Sequence, residues 1–398
     1  GGGKVYPGAI GVWIGESPGN TISHNEICDH NYTGISIGWT WGYGPSDTSG
    51  TTTEYNHIHH LGQGLLNDMG GIYNLGASPG SRISNNLMHD ISGGGIYPDE
   101  GSAGLLIENN IAYRTLNGGF SLHYGKDNIV RNNIFAMSLL HQVMRYRNEP
   151  HRAITFENNI VYYDHGDVMG SGTLGQYDEF NKNLYWNTSG KPVIFPNDLT
   201  FDKWQAQGRD KDSLIADPLF VDPKHNNYNL RPNSPAFKLG FKAVDQNKPG
   251  LVGDKEWVNM PKKAKIKPVV LKAPTAAQPT EIDDDFETTP IGSKVFHMVT
   301  LGETFDATIR VTDETAASGS HCVKFTDAPG LDYEFNPHMF FNPSLKNCIA
   351  TTSFDLKLEP GAIFWHEWRD NENPYHVGPS MGVDAAGQLT ASGQNLLI

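Results

Sequence analysis

A short phrase, asparagine followed closely by an aliphatic residue, returns along the first half of this chain and constrains its fold more than any other feature. It reads Asn25-Glu26-Ile27, Asn56-His57-Ile58, Asn85-Asn86-Leu87, Asn109-Asn110-Ile111, Asn132-Asn133-Ile134, Asn158-Asn159-Ile160 and Asn183-Leu184. The aliphatic positions 27, 58, 87, 111, 134, 160 and 184 lie 31, 29, 24, 23, 26 and 24 residues apart, within the range of solenoid repeats. Leucine-rich repeats share that period but need a dense leucine ladder and usually a helix in each unit. Here the units are short alternating strands, such as Gly34-Ile35-Ser36-Ile37 and Ala153-Ile154-Thr155-Phe156, parted by polar or glycine corners. No 3.6-residue pattern persists for three turns. The fold class expected is all-β: a right-handed parallel β-helix with one coil per repeat, apolar residues stacked inside and asparagines aligned in hydrogen-bonded corner ladders.

Residues 1–245 are assigned to this β-helix, with a closing segment around 212–240, because an uncovered end coil is an unpaired, aggregation-prone edge. The chain opens on Gly1-Gly2-Gly3 without an initiator Met, so earlier coils and any leader are expected to be missing. The two longest repeats hold insertions at 39–45 and 63–79, and solenoid insertions map to loops on one face, often the binding face. Residues 246–280 have the Pro-, Lys- and Ala-rich composition of an extended spacer. Residues 281–398 alternate like the strands of an antiparallel β-sandwich, cut short at Leu397-Ile398. In that second domain Trp365 and Trp368 are available to stack on sugars.

The charge balance narrows the partners. Thirty Lys plus Arg stand against 44 Asp plus Glu, a formal net charge of -14. A nucleic-acid binder needs a basic face to neutralise phosphates, so no nucleic-acid partner is expected. No apolar run approaches the ~20 residues of a membrane span. The three cysteines, Cys28, Cys322 and Cys348, have no zinc or redox spacing, although Cys322 and Cys348 could pair. The run Asp283-Asp284-Asp285 offers oxygen ligands to calcium, but an isolated acidic run does not make a site. No cofactor is expected to be required and no metal ligand is assigned. A monomer is the default, located outside the cytoplasm: secreted, periplasmic or on the cell surface.

The repeat also serves as a ruler. Ten to thirteen residues after each aliphatic marker lie Asp68, then Asp99 and Glu100, then His123 and Tyr124, then Arg145, Tyr146 and Arg147. Successive coils thus place acid, acid, histidine and arginine in one column, where a merely solvated column would hold Asn, Ser or Thr. Neighbouring strands are ~4.8 Å apart. Carboxylates on adjacent coils would then sit roughly 5–6 Å apart, close to the spacing of a retaining glycosidase. Asp68 is assigned as the base or nucleophile and Asp99 as the acid, the two roles being interchangeable. Glu100 is held in reserve, because strand alternation turns only one of Asp99 and Glu100 toward a cleft. His123 would orient substrate or tune an acid, and Tyr124, Arg145, Arg147 and His151 would bind hydroxyls or a carboxylate, arginine as a bidentate fork. Trp39 and Trp41 in the first insertion, with Tyr73 and Tyr97, are the aromatic candidates for sugar contact.

Three blocks carry a family resemblance: residues 67–80 (Asn67-Asp68-Met69-Gly70-Gly71-Ile72-Tyr73 onward), 95–102 (Gly95-Ile96-Tyr97-Pro98-Asp99-Glu100-Gly101-Ser102) and 123–134 (His123-Tyr124-Gly125-Lys126 onward). Over roughly residues 1–240 the chain resembles the β-helix proteins grouped as glycoside hydrolase family 141 and their close relatives. The resemblance implies hydrolysis of plant or algal polysaccharide, fucosidase and xylanase activities both occurring in that family. It also implies a catalytic pair of aspartates, matched here by Asp68 and Asp99. Gly93-Gly94-Gly95 stands where relatives often carry a longer Tyr- and Trp-containing stretch, which puts the cleft's shape in doubt. Ser121-Leu122 precedes His123 where relatives often have His-Gln, which puts one substrate contact in doubt. Two other readings fit the residues: a polysaccharide lyase acting on uronates through Arg145, Arg147 and Tyr124, and a non-catalytic carbohydrate-binding β-helix.

Overall fold

The computed structural model describes residues 2–170, 177–272, 284–295, 298–341, 351–370, 375–391 and 394–395. The chain divides into two compact units, Gly1–Ala273 and Pro274–Ile398.

The first unit is a three-sided stack of parallel strands. One sheet comprises Val12–Gly15, Ile35–Gly38, Gly70–Leu75, Gly94–Pro98, Phe120–Leu122, His141–Arg145 and Asp167–Met169. A second is built from Thr21–Ser23, Thr52–Glu54, Arg82–Ser84, Leu106–Glu108, Asn128–Arg131, Ile154–Glu157 and Glu179–Asn181. A third runs from Glu26–His30 through His57–Leu61, Leu87–Ile91, Ile111–Thr115, Ile134–Ala136, Ile160–Tyr163 and Leu184–Asn187 to Leu214–Ile215. The chain visits the three sheets in turn, once per coil, so through the stack each strand pairs with its equivalent one coil away, while at its end the consecutive strands Leu184–Asn187 and Leu214–Ile215 pair directly.

Stacked aliphatic and aromatic side chains fill the interior: Ile35, Ile72, Ile96, Phe120 and Val143 share one register on the first sheet, and all are essentially inaccessible. Glycines stand at or just before the start of five strands of that sheet, at Gly11, Gly34, Gly70, Gly94 and Gly119. A Cβ on Gly71 would lie 2.8 Å from the Gly95 carbonyl oxygen, and one on Gly95 2.5 Å from that of Gly119, so the column admits no side chain.

The asparagine ladder forms as expected. Asn25, Asn56, Asn86, Asn110, Asn133, Asn159 and Asn183 stack at the corner before the third sheet, each backbone N–H donating to the next side-chain oxygen at 2.9–3.1 Å. The preceding residues, from His24 and Tyr55 to Asn158 and Lys182, are left-handed, with φ between 53° and 59°. The ladder also corrects the ruler. Register pairs Glu26 with His57, His57 with Leu87 and Leu87 with Ile111, so Ile27 and Ile58 sit one position past the later markers.

The closing segment differs from expectation in place. The interior is covered at its end by Val193, Phe195 and a short helix, Phe201–Ala206, whose Trp204 is buried in the main core. Residues 216–244 fold instead along the outer face of the third sheet. There Phe220, Tyr228, Ala236 and Phe241 form a second core with Ile111, Tyr113, Ile134, Ile160, Tyr162 and Leu184. Residues 247–266, expected to be a spacer, also pack on this sheet: the Gly250 N–H donates to the Tyr55 carbonyl at 2.8 Å.

In the second unit the described strands are antiparallel. Val299–Leu301 pairs with His338–Phe340, and Thr308–Thr312 with Cys322–Thr326. A four-stranded sheet is made by Phe364–Arg369, Val377–Val383, Leu389–Ala391 and Gln394–Asn395. Trp365 is 52% exposed. Cys348 and Asp283 lie outside the described residues, while the Asp284 and Asp285 carboxylates accept N–H groups of their own turn. Among the described residues no helix is long and apolar enough to cross a membrane.

Candidate active site

Strand alternation decides which first-sheet residues face outward. With Ile72 and Ile96 inside, Tyr73 and Tyr97 leave the sheet on its outer side, where they are nonetheless buried and meet edge to face, ring centroids 5.4 Å apart at 87°. The row continues through Trp39, 6.3 Å from Tyr73, to Trp13 at 6.0 Å and Trp41 at 5.7 Å from Trp39. In the other direction it reaches Tyr146, 6.1 Å from Tyr97. Trp13 and Trp41 are 61% and 63% exposed. This row of rings crosses successive coils, the arrangement a linear chain of sugars would follow.

Asp99 lies at the foot of the row. Asn74, Pro98 and Leu122 share one register near the ends of the first-sheet strands in consecutive coils, and the backbone is tied across there: Asp99 N–H to Asn74 O at 2.7 Å, His123 N–H to Pro98 O at 3.0 Å, Tyr146 N–H to Leu122 O at 2.9 Å. Asp99, His123 and Tyr146 are therefore stacked. The Asp99 carboxylate, in a residue only 8% exposed, accepts hydrogen bonds from the Tyr73 hydroxyl, the Tyr97 hydroxyl at 3.5 Å and the His123 Nδ1–H at 2.8 Å. Burial, then the hydrogen bond to Asp99, raises the Tyr73 pKa far above its usual value. Burial and the Asp99 charge do the same to Tyr97. Both phenols thus remain donors. His123 turns its Nδ1 to Asp99, and its side chain is 31% exposed.

Glu100 joins this group. Its Oε1 is 3.8 Å from His123 Nδ1 and its Oε2 accepts from the Tyr124 hydroxyl at 3.3 Å. Alternation was expected to turn Asp99 and Glu100 apart. Both lie beyond the strand end at Pro98, where alternation no longer applies, so both carboxylates face the same imidazole nitrogen.

Asp68 comes from the other end of a strand. The loop from 62 to 69 separates His57–Leu61 from Gly70–Leu75, whereas only residues 92 and 93 separate the equivalent strands one coil later. This insertion delays the strand, so Asp99 stacks beside Leu75 rather than Asp68, and the adjacent-coil spacing expected for the two aspartates does not occur. Asp68 is exposed, with φ 49°, and its carbonyl accepts from the Tyr32 hydroxyl at 2.8 Å. Its charge still reaches the tyrosines around Asp99. Burial first, then Asp68 and Asp99 together, pushes the Tyr146 hydroxyl up to about 12, and both aspartates also raise Tyr32 and Tyr97.

Arg145 is not a substrate contact. It faces inward in register with Leu122, is 1% exposed, and pairs with the buried Asp178 while its Nε donates to the Arg147 carbonyl at 2.9 Å. Asp178 in turn accepts the Ala153 and Ile154 N–H groups at 2.9 and 3.2 Å. Arg147 is exposed, its guanidinium 4.3 Å over the Tyr124 ring. His151 meets Glu149 at 3.3 Å and the Tyr43 hydroxyl at 3.2 Å. Tyr43 also donates to Glu149, and burial followed by that bond raises its pKa.

Sequence reasoning did not assign Tyr32, Tyr43, Glu149 or Trp13. It had Tyr146 within its window and chose Arg145. The inward Val143 is the signal that places Arg145 inside and Tyr146 out.

No curated protein matches the chain significantly. A solved structure titled "Glycoside hydrolase" aligns over 38% of this chain and 22% of its own length, at 23% identity and a TM-score of 0.26, so this chain spans about a fifth of that one. Residues 42–177 match the family model described as "Right handed beta helix region", and this stretch, which carries Asp68, Asp99, His123 and Tyr146, is part of a right-handed parallel β-helix.

Proposed function

We propose that the protein is a carbohydrate-active enzyme, a glycoside hydrolase that binds a plant or algal polysaccharide along the outer face of the first sheet. The observation that carries this reading is the enclosed Asp99 carboxylate, gripped by the buried Tyr73 and Tyr97 and by His123 in a row of aromatic rings whose outer members Trp13, Trp41 and Tyr146 are exposed. Glycosidic cleavage needs two carboxyl groups, one to protonate the leaving oxygen and one to attack or to activate water. Asp99 is the fixed member. Its hydrogen bonds hold the carboxylate in one orientation, so little reorganisation is needed when positive charge develops at the sugar.

Glu100 and Asp68 are the two candidates for its partner, and they imply different outcomes. Glu100 meets the same His123 nitrogen as Asp99, a close pairing that supports retention. Asp68 precedes a strand whose far end lies beside Asp99, and it is the partner an inverting mechanism would use, with a water between the two carboxyl groups. The Trp39–Trp41 pair and Tyr146 supply flat surfaces for sugar rings on either side. Aryl glycosides and a panel of polysaccharides, incubated with the parent and with Asp99→Asn, Asp68→Asn and Glu100→Gln, test the reading. Turnover lost in Asp99→Asn and in one other variant identifies the pair. Turnover kept in Asp99→Asn refutes it.

A second reading rests on Arg147, which is exposed, lies over the Tyr124 ring and 3.7 Å from Glu149, and suits a uronate carboxylate. A lyase would release products with an unsaturated, ultraviolet-absorbing end, and a hydrolase would not.

A further inference from the structure

The outer face of the third sheet changes character along the stack. Two outward columns run along it: Glu26, His57, Leu87, Ile111, Ile134, Ile160, Leu184 and, two residues on, Cys28, His59, His89, Tyr113, Ala136, Tyr162, Trp186. From Ile111 onward these residues are apolar or aromatic and are covered by residues 216–244. In the first two coils the same positions hold a carboxylate and two imidazoles. Simple cover by the chain would call for apolar residues there as well, so this end is built for something else.

Its geometry has the form of a coordination site. His57 and His59 lie two apart on one strand and so share a face, and Glu26 is the register partner of His57 on the next strand. His57 Nδ1 is 2.9 Å from Glu26 Oε2, and His59 Nε2 is 2.8 Å from Glu26 Oε1. Ligand atoms from the three residues all fall within 4.8 Å of one another. Nitrogen and oxygen ligands each about 2.0–2.2 Å from one ion lie about 3 Å apart, as these do. The remaining nitrogens are also held: His57 Nε2 is 2.9 Å from His89 Nε2, and His59 Nδ1 is 2.7 Å from His60 Nδ1. Outer partners of this kind fix the ring orientation of metal-binding histidines.

The triad also opens onto space. Together with His24 and Tyr55 it lines a cavity of about 730 Å³, closed opposite by residues 247–252 and by Val258, Pro261, Lys262 and Ile266. Gly250 makes this close approach feasible. Its φ is 106°, a Cβ there would lie 3.4 Å from Glu26 Oε2, and its carbonyl sits 3.1 Å from His24 Nδ1.

We propose that Glu26, His57 and His59 bind a divalent first-row transition metal of the zinc class, with a further coordination position facing this cavity. Two imidazoles and one carboxylate suit zinc and its neighbours and not calcium, which takes oxygen ligands. Three protein ligands with one open position is the pattern of a reactive rather than a closed structural site. The site lies on a different sheet from Asp99 and does not depend on the hydrolase reading.

The test uses the full chain, stripped with a chelator and dialysed. Zn²⁺ is titrated calorimetrically, and Co²⁺ by visible absorption, which reports the ligand field directly. The expected result is one equivalent bound, a rise in Tm on loading, and at least about 100-fold weaker binding in His59→Ala and in the near-isosteric Glu26→Gln, since even outer partners are worth roughly 10- to 100-fold. Far-UV circular dichroism confirms that both variants are folded. Asp90→Asn, which alters the neighbouring His60–His89–Asp90 group and replaces none of Glu26, His57, His59 or their direct ring partners, should keep one equivalent. Failure of the folded parent to bind either metal at micromolar concentration overturns the proposal. So does binding that survives in Glu26→Gln and His59→Ala but is lost in Asp90→Asn.

Discussion

Replacing Asn110 with alanine should destabilise the β-helix by several kcal/mol although the residue touches neither cleft. Asn110 is fully buried. Its Oδ1 accepts the Asn86 backbone N–H and the Asn86 Nδ2–H, each at 3.0 Å. Its own Nδ2 donates to the Ile83 carbonyl at 2.9 Å, the Glu108 carbonyl at 3.1 Å and Asn133 Oδ1 at 3.0 Å. Alanine deprives the buried Asn86 N–H of its acceptor, a loss of about 1–3 kcal/mol, and removes donors from Ile83 O and Asn133 Oδ1 at about 0.5–1.5 kcal/mol each. The sum is roughly 2–6 kcal/mol. Urea denaturation followed by far-UV circular dichroism gives the midpoint shift, with Asn247→Ala as the control. Asn247 is exposed and bonds only within its own turn, so its variant should stay within about 0.5 kcal/mol of the parent. A loss below about 1 kcal/mol in Asn110→Ala would refute the view that the ladder carries the corner.

Three further outcomes follow from particular contacts. Arg145→Ala should be strongly destabilising, because it removes the guanidinium that pairs with the buried Asp178 carboxylate, whereas Arg147→Ala should leave stability nearly unchanged; equal effects on the urea midpoint would return Arg145 to the surface. Trp41→Ala should raise KM for a polymeric substrate about 2- to 10-fold with kcat preserved, the loss expected from one stacking ring, and a fall confined to kcat would place Trp41 outside the binding row. In the second unit, burial raises the Glu303 pKa but is outweighed by hydrogen bonds from Lys294, Thr300, the Ile309 N–H and Arg310, which hold it at about 2 against an ordinary 4.5. The folded-state value is depressed, so this contribution is complete above pH 4.5 and is lost as pH falls toward 2; Tm should drop across that window in the parent and less steeply in Glu303→Gln.

The fold was legible because its signal is repeated. Seven corner asparagines report one hydrogen-bonding position, so the architecture survives a one-residue error in the first two markers. The site was legible only where the coils are regular. Asp99 and His123 follow strands of ordinary length and stack as the ruler predicts. Asp68 follows the 62–69 insertion, and spacing alone cannot tell whether extra residues fall before or after a strand. Arg145 was misplaced because a buried ion pair looks in sequence like a functional charge; its partner Asp178 lies 33 residues on. The Glu26–His57–His59 group was passed over because it contradicts no pattern. It occupies the outward positions of regular strands, and only the register across coils joins its members.

The most direct test of the account is the rate of glycoside hydrolysis by Asp99→Asn on whichever polysaccharide the parent cleaves. The change is near-isosteric, and the Asn side-chain oxygen can still accept from Tyr73 and His123. The account predicts an intact fold and a fall in kcat of at least about 10³-fold, as removal of an essential carboxylate entails. A folded Asp99→Asn that retains most of its kcat would contradict it.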